Sequence, residues 1–495
     1  MADQDAQDRV AAVVIMAAGA GTRMRSAVPK VLHRIAGKSM IACAIDTADA
    51  LSPDRLVVVV GHQRELVTEH LAEIAPHVTI AVQERPLGTG DAVRAGLSVL
   101  PGIAGEVVVT SGDVPLLAPE TLRGLVAAHR SGGNAVTVLS AVVPDPTGYG
   151  RIVRDGEEVL RIVEQSDASP DELALAEINS GIYVFDAEAL ADGLAALQAA
   201  NAQGELYLTD VVAHARSAGR RVGARVLDDY LQTEGVNDRA QLAERAAELN
   251  RRILARWMAE GVTVLDPATT WVQAGVDLAE DVTLLPGTSL EGATSVASGA
   301  TIGPDTTLVD VEVGENARVV RTHAELAVIG PGATVGPFSY LRPGTEIGTK
   351  AHIGAFVETK KAIIGEGAKV PHLTYCGDAV VGAGSNIGAG TIFANYDGVG
   401  KYTSTVGEHS FVGSDSVLVA PVHIADGAYV AAGSTITSDV GAGELAVSRG
   451  QQRNIRGWVA RKRAGTASAA AAEAALARAA EEQGAEAAAG EEAGE

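Results

Sequence analysis

The sequence predicts an α/β chain in two dissimilar parts, a doubly wound βα layer followed by a parallel β-helix. Three observations carry this. From about Val282 to Val440 the chain reads in sixes. Near the start, the apolar run Ala11–Met16 flows into the glycine loop Ala17-Ala18-Gly19-Ala20-Gly21. Between the two regions, β-like runs alternate with helical ones.

The charge balance bounds the function. Across 495 residues the formal net charge is -23, which argues against general nucleic-acid binding. An anionic chain that handles phosphates must concentrate its cations locally. The 2 cysteines, Cys43 and Cys376, lie far apart without metal spacing, as expected in a reducing cytoplasm. No run reads as a signal peptide or a membrane span.

Taken in order, the first strand feeds a loop whose glycines let backbone N–H groups approach an anion. The loop lacks the Gly-Lys-Ser/Thr ending of a P-loop. Arg23 and Lys30 follow it, and a fixed lysine there can neutralise a transferring phosphoryl group. Further strands are read at Arg55–Val60, Val78–Gln83 and Glu106–Thr110. This pattern implies an open, mostly parallel sheet with helices on both faces and ligands at the carboxyl ends of its strands. Asp113 sits at such an end. It is placed either to hold a divalent cation against a phosphate or to serve as a turn aspartate before Pro115.

Asn237 to Gly261 reads as a long amphipathic helix, with Leu249 to Trp257 along one stripe. It either joins two domains or packs within the first. The sextets follow. Val335-Gly336, Ile347-Gly348, Ile353-Gly354, Val381-Gly382, Ile387-Gly388, Val406-Gly407 and Val412-Gly413 each pair an inward aliphatic residue with a corner-forming glycine. Polar residues interrupt this rod. Arg342 and Lys360 suit a phosphate, His372 a proton taken from an amine, and Asn395 with Tyr396 the orientation of a sugar. Beyond Arg463 the chain is mostly Ala and Glu with no apolar stripe, and is expected to be disordered or loosely helical.

Several motifs are specific enough to carry a resemblance: Ala17–Met24, Pro29-Lys30-Val31-Leu32-His33, Leu87-Gly88-Thr89-Gly90 and Gly112-Asp113-Val114-Pro115. So are Gly148-Tyr149-Gly150-Arg151, Glu177–Gly181, Glu205–Asp210 and Glu234-Gly235-Val236-Asn237. With the sextets, and with Asn386–Thr391 and Asn395–Gly398, the chain resembles the bacterial bifunctional N-acetylglucosamine-1-phosphate uridyltransferase / glucosamine-1-phosphate N-acetyltransferase family from about Ala11 to Arg463.

That resemblance implies four segments. Residues 1–238 form a Rossmann-like nucleotidyltransferase domain, 239–260 a linker helix, 261–463 a left-handed β-helix acetyltransferase domain and 464–495 the tail. It implies acetyl transfer from acetyl-coenzyme A to glucosamine-1-phosphate, then coupling to UTP with release of pyrophosphate, supplying UDP-N-acetylglucosamine for peptidoglycan. Met16, Ala17, Ala18, Gly19, Gln83, Gly88, Thr89, Ser111 and Gly112 would hold the nucleotide, with Gln83 reading the uracil edge. Asp113 and Asn237 would hold Mg²⁺. Gly150, Glu164 and Asn179 would hold the sugar, and Arg23 and Lys30 the triphosphate.

On the rod, the resemblance implies that Arg342, Lys360, Tyr375 and Asn386 bind glucosamine-1-phosphate, with His372 as general base. Ala389, Asn395, Tyr396, Ser414, Ala432 and Arg449 would line the acetyl-coenzyme A site. Rods would pack as homotrimers in the cytoplasm, each acetyltransferase site being built from neighbouring chains, with no nucleic-acid or membrane partner. Asp91 departs from the family pattern, where histidine is common, and Cys376 stands where an aliphatic residue is usual. Single-activity pyrophosphorylases and non-catalytic exchange subunits share the two-part layout. The latter lack the catalytic residues that Lys30, Asp113 and Asn237 represent here.

Overall fold

The computed structural model describes residues 9–492. Its first part is built on a sheet whose inner strands are nearly continuous apolar runs. They are β1 (Ala12–Ala17), β2 (Arg55–Val60), β3 (Thr79–Val82) and β4 (Glu106–Ser111). β1 pairs in parallel with β2 and β4, and β2 with β3. Successive side chains point to opposite faces, so a strand covered on both sides needs apolar residues throughout. Val13 and Ile15 enter one core with Val58, Val108 and Ile41 of the helix Met40–Asp49. Ala12 and Val14 enter the other with Val57, Val107 and Val93 of the helix Thr89–Ser98.

One side of the sheet departs from the parallel expectation. Strands β5 (Val136–Val142), β6 (Arg151–Asp155), β7 (Glu158–Val163), β8 (Glu177–Asp186) and β9 (Val222–Leu227) complete it in the spatial order β9-β5-β8-β4-β1-β2-β3. β8 is antiparallel to β4 and β5, and the β6-β7 hairpin pairs with the start of β8. Only Gly156 and Glu157 join β6 to β7, and a link that short can make only a hairpin.

The helix Arg239–Ala259 bridges two cores. Leu242, Ala246 and Leu249 pack against Met24, Ile35, Met40 and Val236 of the first part. One and two turns later, Ile253, Leu254 and Trp257 join Val262, Val272 and Val276 at the start of the rod. The buried Asn250 fixes the crossing: its Nδ2 donates to the Thr270 carbonyl at 2.8 Å, and its Oδ1 accepts from the Val272 N–H at 2.9 Å. Asp238 caps the helix, accepting from the Gln241 N–H at 2.9 Å.

The rod is a stack of parallel strands on three faces. One face runs through Thr283, Thr301, Arg318, Thr334, His352, Lys369, Asn386 and Phe411. The second includes Tyr340, Glu358 and Tyr375, and the third Val328, Glu346 and Ile363. All seven sextet aliphatics named above are at most 2 % exposed, so the period of six is the inward stack. The corners are less uniform than glycine alone would make them. Phe338, Phe356 and Leu373 take the left-handed conformation with their side chains outside, at 55 %, 58 % and 62 % exposure. The Phe338 and Phe356 rings stack with centroids 5.2 Å apart.

The tail was expected to be disordered or loosely helical. The structure carries a helix over Ala467–Glu492. Alanine's propensity accounts for it without an apolar stripe. No helix among the described residues is long and apolar enough to cross a membrane.

Candidate active sites

A cleft of about 260 Å³ opens at the carboxyl ends of β1 and β4. Its lining includes Met16, Ala17, Ala18, Gly19, Lys30, Gln83, Gly88, Thr89, Ser111 and Asp113, ten of the residues expected to hold nucleotide or metal. Two glycines make this geometry possible. Gly21 has φ 59°, and a Cβ there would lie 2.7 Å from Lys30 Cβ. Gly88 has φ 116°, and a Cβ there would lie 2.6 Å from the Leu206 carbonyl oxygen. Only glycine lets these segments close on each other.

Lys30 forms an ion pair with Asp113, and its Nζ also donates to Asn237 Oδ1 at 3.3 Å. Ser111 Oγ donates to the other Asp113 oxygen at 2.6 Å. The backbone fixes both ends: the Gly112 N–H donates to the Met16 carbonyl and the Val236 N–H to the Asp113 carbonyl, each at 2.9 Å. Arg239 Nε donates to the Met24 carbonyl at 3.2 Å, tying the bridging helix to the loop. Arg23 stands in the short turn Thr22–Met24, exposed and outside the cleft lining.

Gly150, Glu164 and Asn179 form a second group. A Cβ on Gly150 would lie 3.3 Å from Glu164 Oε2 and 3.5 Å from Asn179 Cβ. Burial pushes the Glu164 carboxyl up from its ordinary value, opposed by a hydrogen bond from Thr209 Oγ1 at 3.2 Å and reinforced by Asp167, Asp210 and Glu205. Sequence reasoning did not assign Thr209 or Glu205 a role. Glu205 lines the nucleotide cleft and acts electrostatically on Glu164, so it links the two groups.

On the rod, Lys360 and Asp378 are paired at 3.7 Å, and Asn395 Nδ2 donates to both Asp378 and the Tyr375 hydroxyl, the latter at 3.4 Å. Arg342 pairs with Glu358 at 2.9 Å. Lys401 joins this group, its ammonium held below its ordinary value chiefly by Lys360. Asp378 was not singled out from the sequence. It sits at a left-handed corner, and stacked coils bring Lys360 and Asn395 to it.

The other expected residues follow a different edge. His372 ends the strand Lys369–His372, and its carbonyl accepts from the Gly390 N–H at 3.2 Å. The Asp415 N–H donates to the Ala389 carbonyl, the Gly433 N–H to the Ser414 carbonyl, and the Arg449 guanidinium to the Ala432 carbonyl at 2.8 Å. Asn386 pairs in register with Lys369 on the same face as His372. Tyr396 bonds within its own loop, its hydroxyl donating to the Gly398 carbonyl at 2.6 Å. One chain therefore brings Tyr375, Lys360 and Asn395 together and keeps His372 on an adjoining face.

Each part of the chain matches a known family model. A nucleotidyl transferase family model matches residues 12–271, and a bacterial transferase hexapeptide model matches residues 326–361 and 403–438. The "Bifunctional protein GlmU" of Streptomyces avermitilis is 57% identical over 468 residues, 94% of this chain and 97% of the relative. The chain belongs to the GlmU family. GlmU proteins of Kineococcus radiotolerans and Mycolicibacterium vanbaalenii are each 55% identical, over 94% and 93% of this chain. The GlmU assignment makes the chain a bifunctional enzyme of UDP-N-acetylglucosamine synthesis, with an N-terminal uridyltransferase part and a β-helical N-acetyltransferase part. A GlmU nucleotidyltransferase suggests a divalent metal. The oxygen donors of Asp113 and Asn237, brought together at Lys30 Nζ, are the hard ligands such an ion takes.

Proposed function

We propose that the two reactions use the two sites described above, divided along the chain as residues 1–238, 239–260, 261–463 and 464–495. In the first, the loop Met16–Gly19, Gln83, Gly88, Thr89, Ser111 and Gly112 hold UTP. Gly150, Glu164 and Asn179 hold N-acetylglucosamine-1-phosphate. Asp113 and Asn237 hold Mg²⁺, which when bound supplies positive charge against the phosphates. Lys30 and Arg23 neutralise the charge that develops as pyrophosphate leaves. The observation that carries this reading is the meeting of Lys30, Asp113 and Asn237 from three distant segments.

In the second, Arg342, Lys360, Tyr375 and Asn386 hold glucosamine-1-phosphate, and His372 takes a proton from the 2-amino group as that nitrogen attacks the thioester. Ala389, Asn395, Tyr396, Ser414, Ala432 and Arg449 line the acetyl-coenzyme A side. The placement of His372 and Lys360 on adjoining faces favours a site completed by a neighbouring chain. The exposed ladder Phe338, Phe356 and Leu373, beside His372, supplies apolar surface for a homotrimer. The assembly works in the cytoplasm and supplies peptidoglycan precursors.

Mass spectrometry of the full-length protein with glucosamine-1-phosphate, acetyl-coenzyme A, UTP and Mg²⁺, omitting one at a time, tests both halves. Omitting acetyl-coenzyme A is expected to stop at the starting sugar phosphate, and omitting UTP to stop at the acetylated one. Absence of the acetylated sugar phosphate from the mixture that lacks UTP would leave a pyrophosphorylase with a structural rod.

A further inference from the structure

The amide of Gln83 faces the cleft from the end of β3, and both of its observed side-chain partners are acceptors. Gln83 Nε2 donates to the Gly88 carbonyl at 3.1 Å and to Asp91 Oδ2 at 3.0 Å. A carbonyl and a carboxylate can only accept, so the NH₂ end must point at them. Oε1 is the end left over, with no hydrogen bond from the described residues. Asp91 itself lies outside the cleft lining, in the first turn of the helix Thr89–Ser98, while Gln83 and Gly88 lie within it.

We infer that Asp91 is a positioning residue that selects the base: it locks the Gln83 amide so that only an acceptor is presented, and so favours a pyrimidine whose ring nitrogen carries a proton. This rests on the reading of the cleft as the UTP site. Uracil offers N3–H to that acceptor. Cytosine offers an unprotonated N3, and two acceptors facing each other leave both unpaired in a partly dry cleft. The Gly88 carbonyl belongs to the backbone and exerts the same pull in any variant. Asp91 is therefore the adjustable half of the lock. A donor placed at this position would attract Oε1, turn the amide over and present NH₂ to the base.

The test uses the full-length protein, wild type, Asp91→Asn and Asp91→Lys, with N-acetylglucosamine-1-phosphate, Mg²⁺ and either UTP or CTP. Pyrophosphate release gives kcat/KM for each nucleotide. The UTP-to-CTP ratio is internal to one preparation, so a partly inactive variant still reports it. The two nucleotides share a triphosphate, so the added cation of the lysine variant cancels. The Asp91→Asn variant keeps an acceptor oxygen and is expected to hold the wild-type ratio within about threefold. The lysine variant is expected to lower it by about tenfold or more, mainly through a higher KM for UTP. Should that variant fail to fold, Asp91→Arg replaces it as the donor, and its ratio must also fall. An unchanged ratio overturns the orienting role and leaves uridyl transfer standing. A wild-type protein that uses no UTP overturns the site reading, and this inference with it.

Discussion

Lys30 and Asp113 form an ion pair at the mouth of the nucleotide cleft, although 83 positions separate them in the chain. The pair is mostly shielded from solvent, with side chains 14% and 16% exposed. Breaking one member leaves the other charge without its partner in a confined space.

Asp113→Ala is expected to lower uridyl transfer by about a hundredfold or more and to leave acetyl transfer within about twofold of wild type. Separate assays of pyrophosphate release and of coenzyme A thiol release check this. Equal loss of both activities in a folded variant would contradict two independent sites.

His372→Ala is the converse. A positioned general base contributes about 10²–10⁴-fold, so acetyl transfer is expected to fall by that factor while uridyl transfer persists. The same pair of assays decides it.

Asp378 holds Lys360 and Asn395 in one place. Asp378→Asn removes the charge and loosens the lysine, so KM for glucosamine-1-phosphate is expected to rise by about tenfold, with a smaller change in kcat. A fall in kcat alone, at constant KM, would assign Asp378 a different part.

The corner made by Phe338 and Phe356 predicts an assembly effect. Replacing both with Asp is expected to shift the sedimentation coefficient toward the monomer and to depress acetyl transfer along with it. Uridyl transfer, built within one chain, is expected to survive.

Acid is expected to weaken the bridging helix. Hydrogen bonds from Arg251 and Arg252, at 2.7 and 2.6 Å, pull the Glu248 carboxyl down from 4.5 to about 2. A depressed carboxylate stabilises the fold above its unfolded value, and this contribution is lost as pH falls from about 4.5 toward 2. Urea unfolding at stepped pH is expected to show a steeper loss in that window for wild type than for Glu248→Gln.

The legible parts of the molecule were those where local chemistry and position coincide. The sextet aliphatics announced themselves because their inward stacking imposes a period, and Lys30 and Asp113 because glycines and a strand end frame them. The β6-β7 hairpin was less visible, since a short link between apolar runs resembles any loop. Asp378 and Glu205 could not be found this way. Asp378 is an ordinary acidic residue in sequence and Glu205 only opens a motif without a stated role; coil stacking and the approach of Glu205 to the cleft give them their neighbours. In the tail, alanine's propensity carries a helix over Ala467–Glu492 with no apolar stripe to pack.

The rod is also stapled to the first part. The Ala274 N–H donates to the Ala36 carbonyl at 3.0 Å, and Gln273 packs against Gly37, where a Cβ would lie 2.9 Å from Gln273 Cδ. A joint of this kind holds the two workshops in one fixed relation, so the bridge between them is built as a strut and not as a hinge.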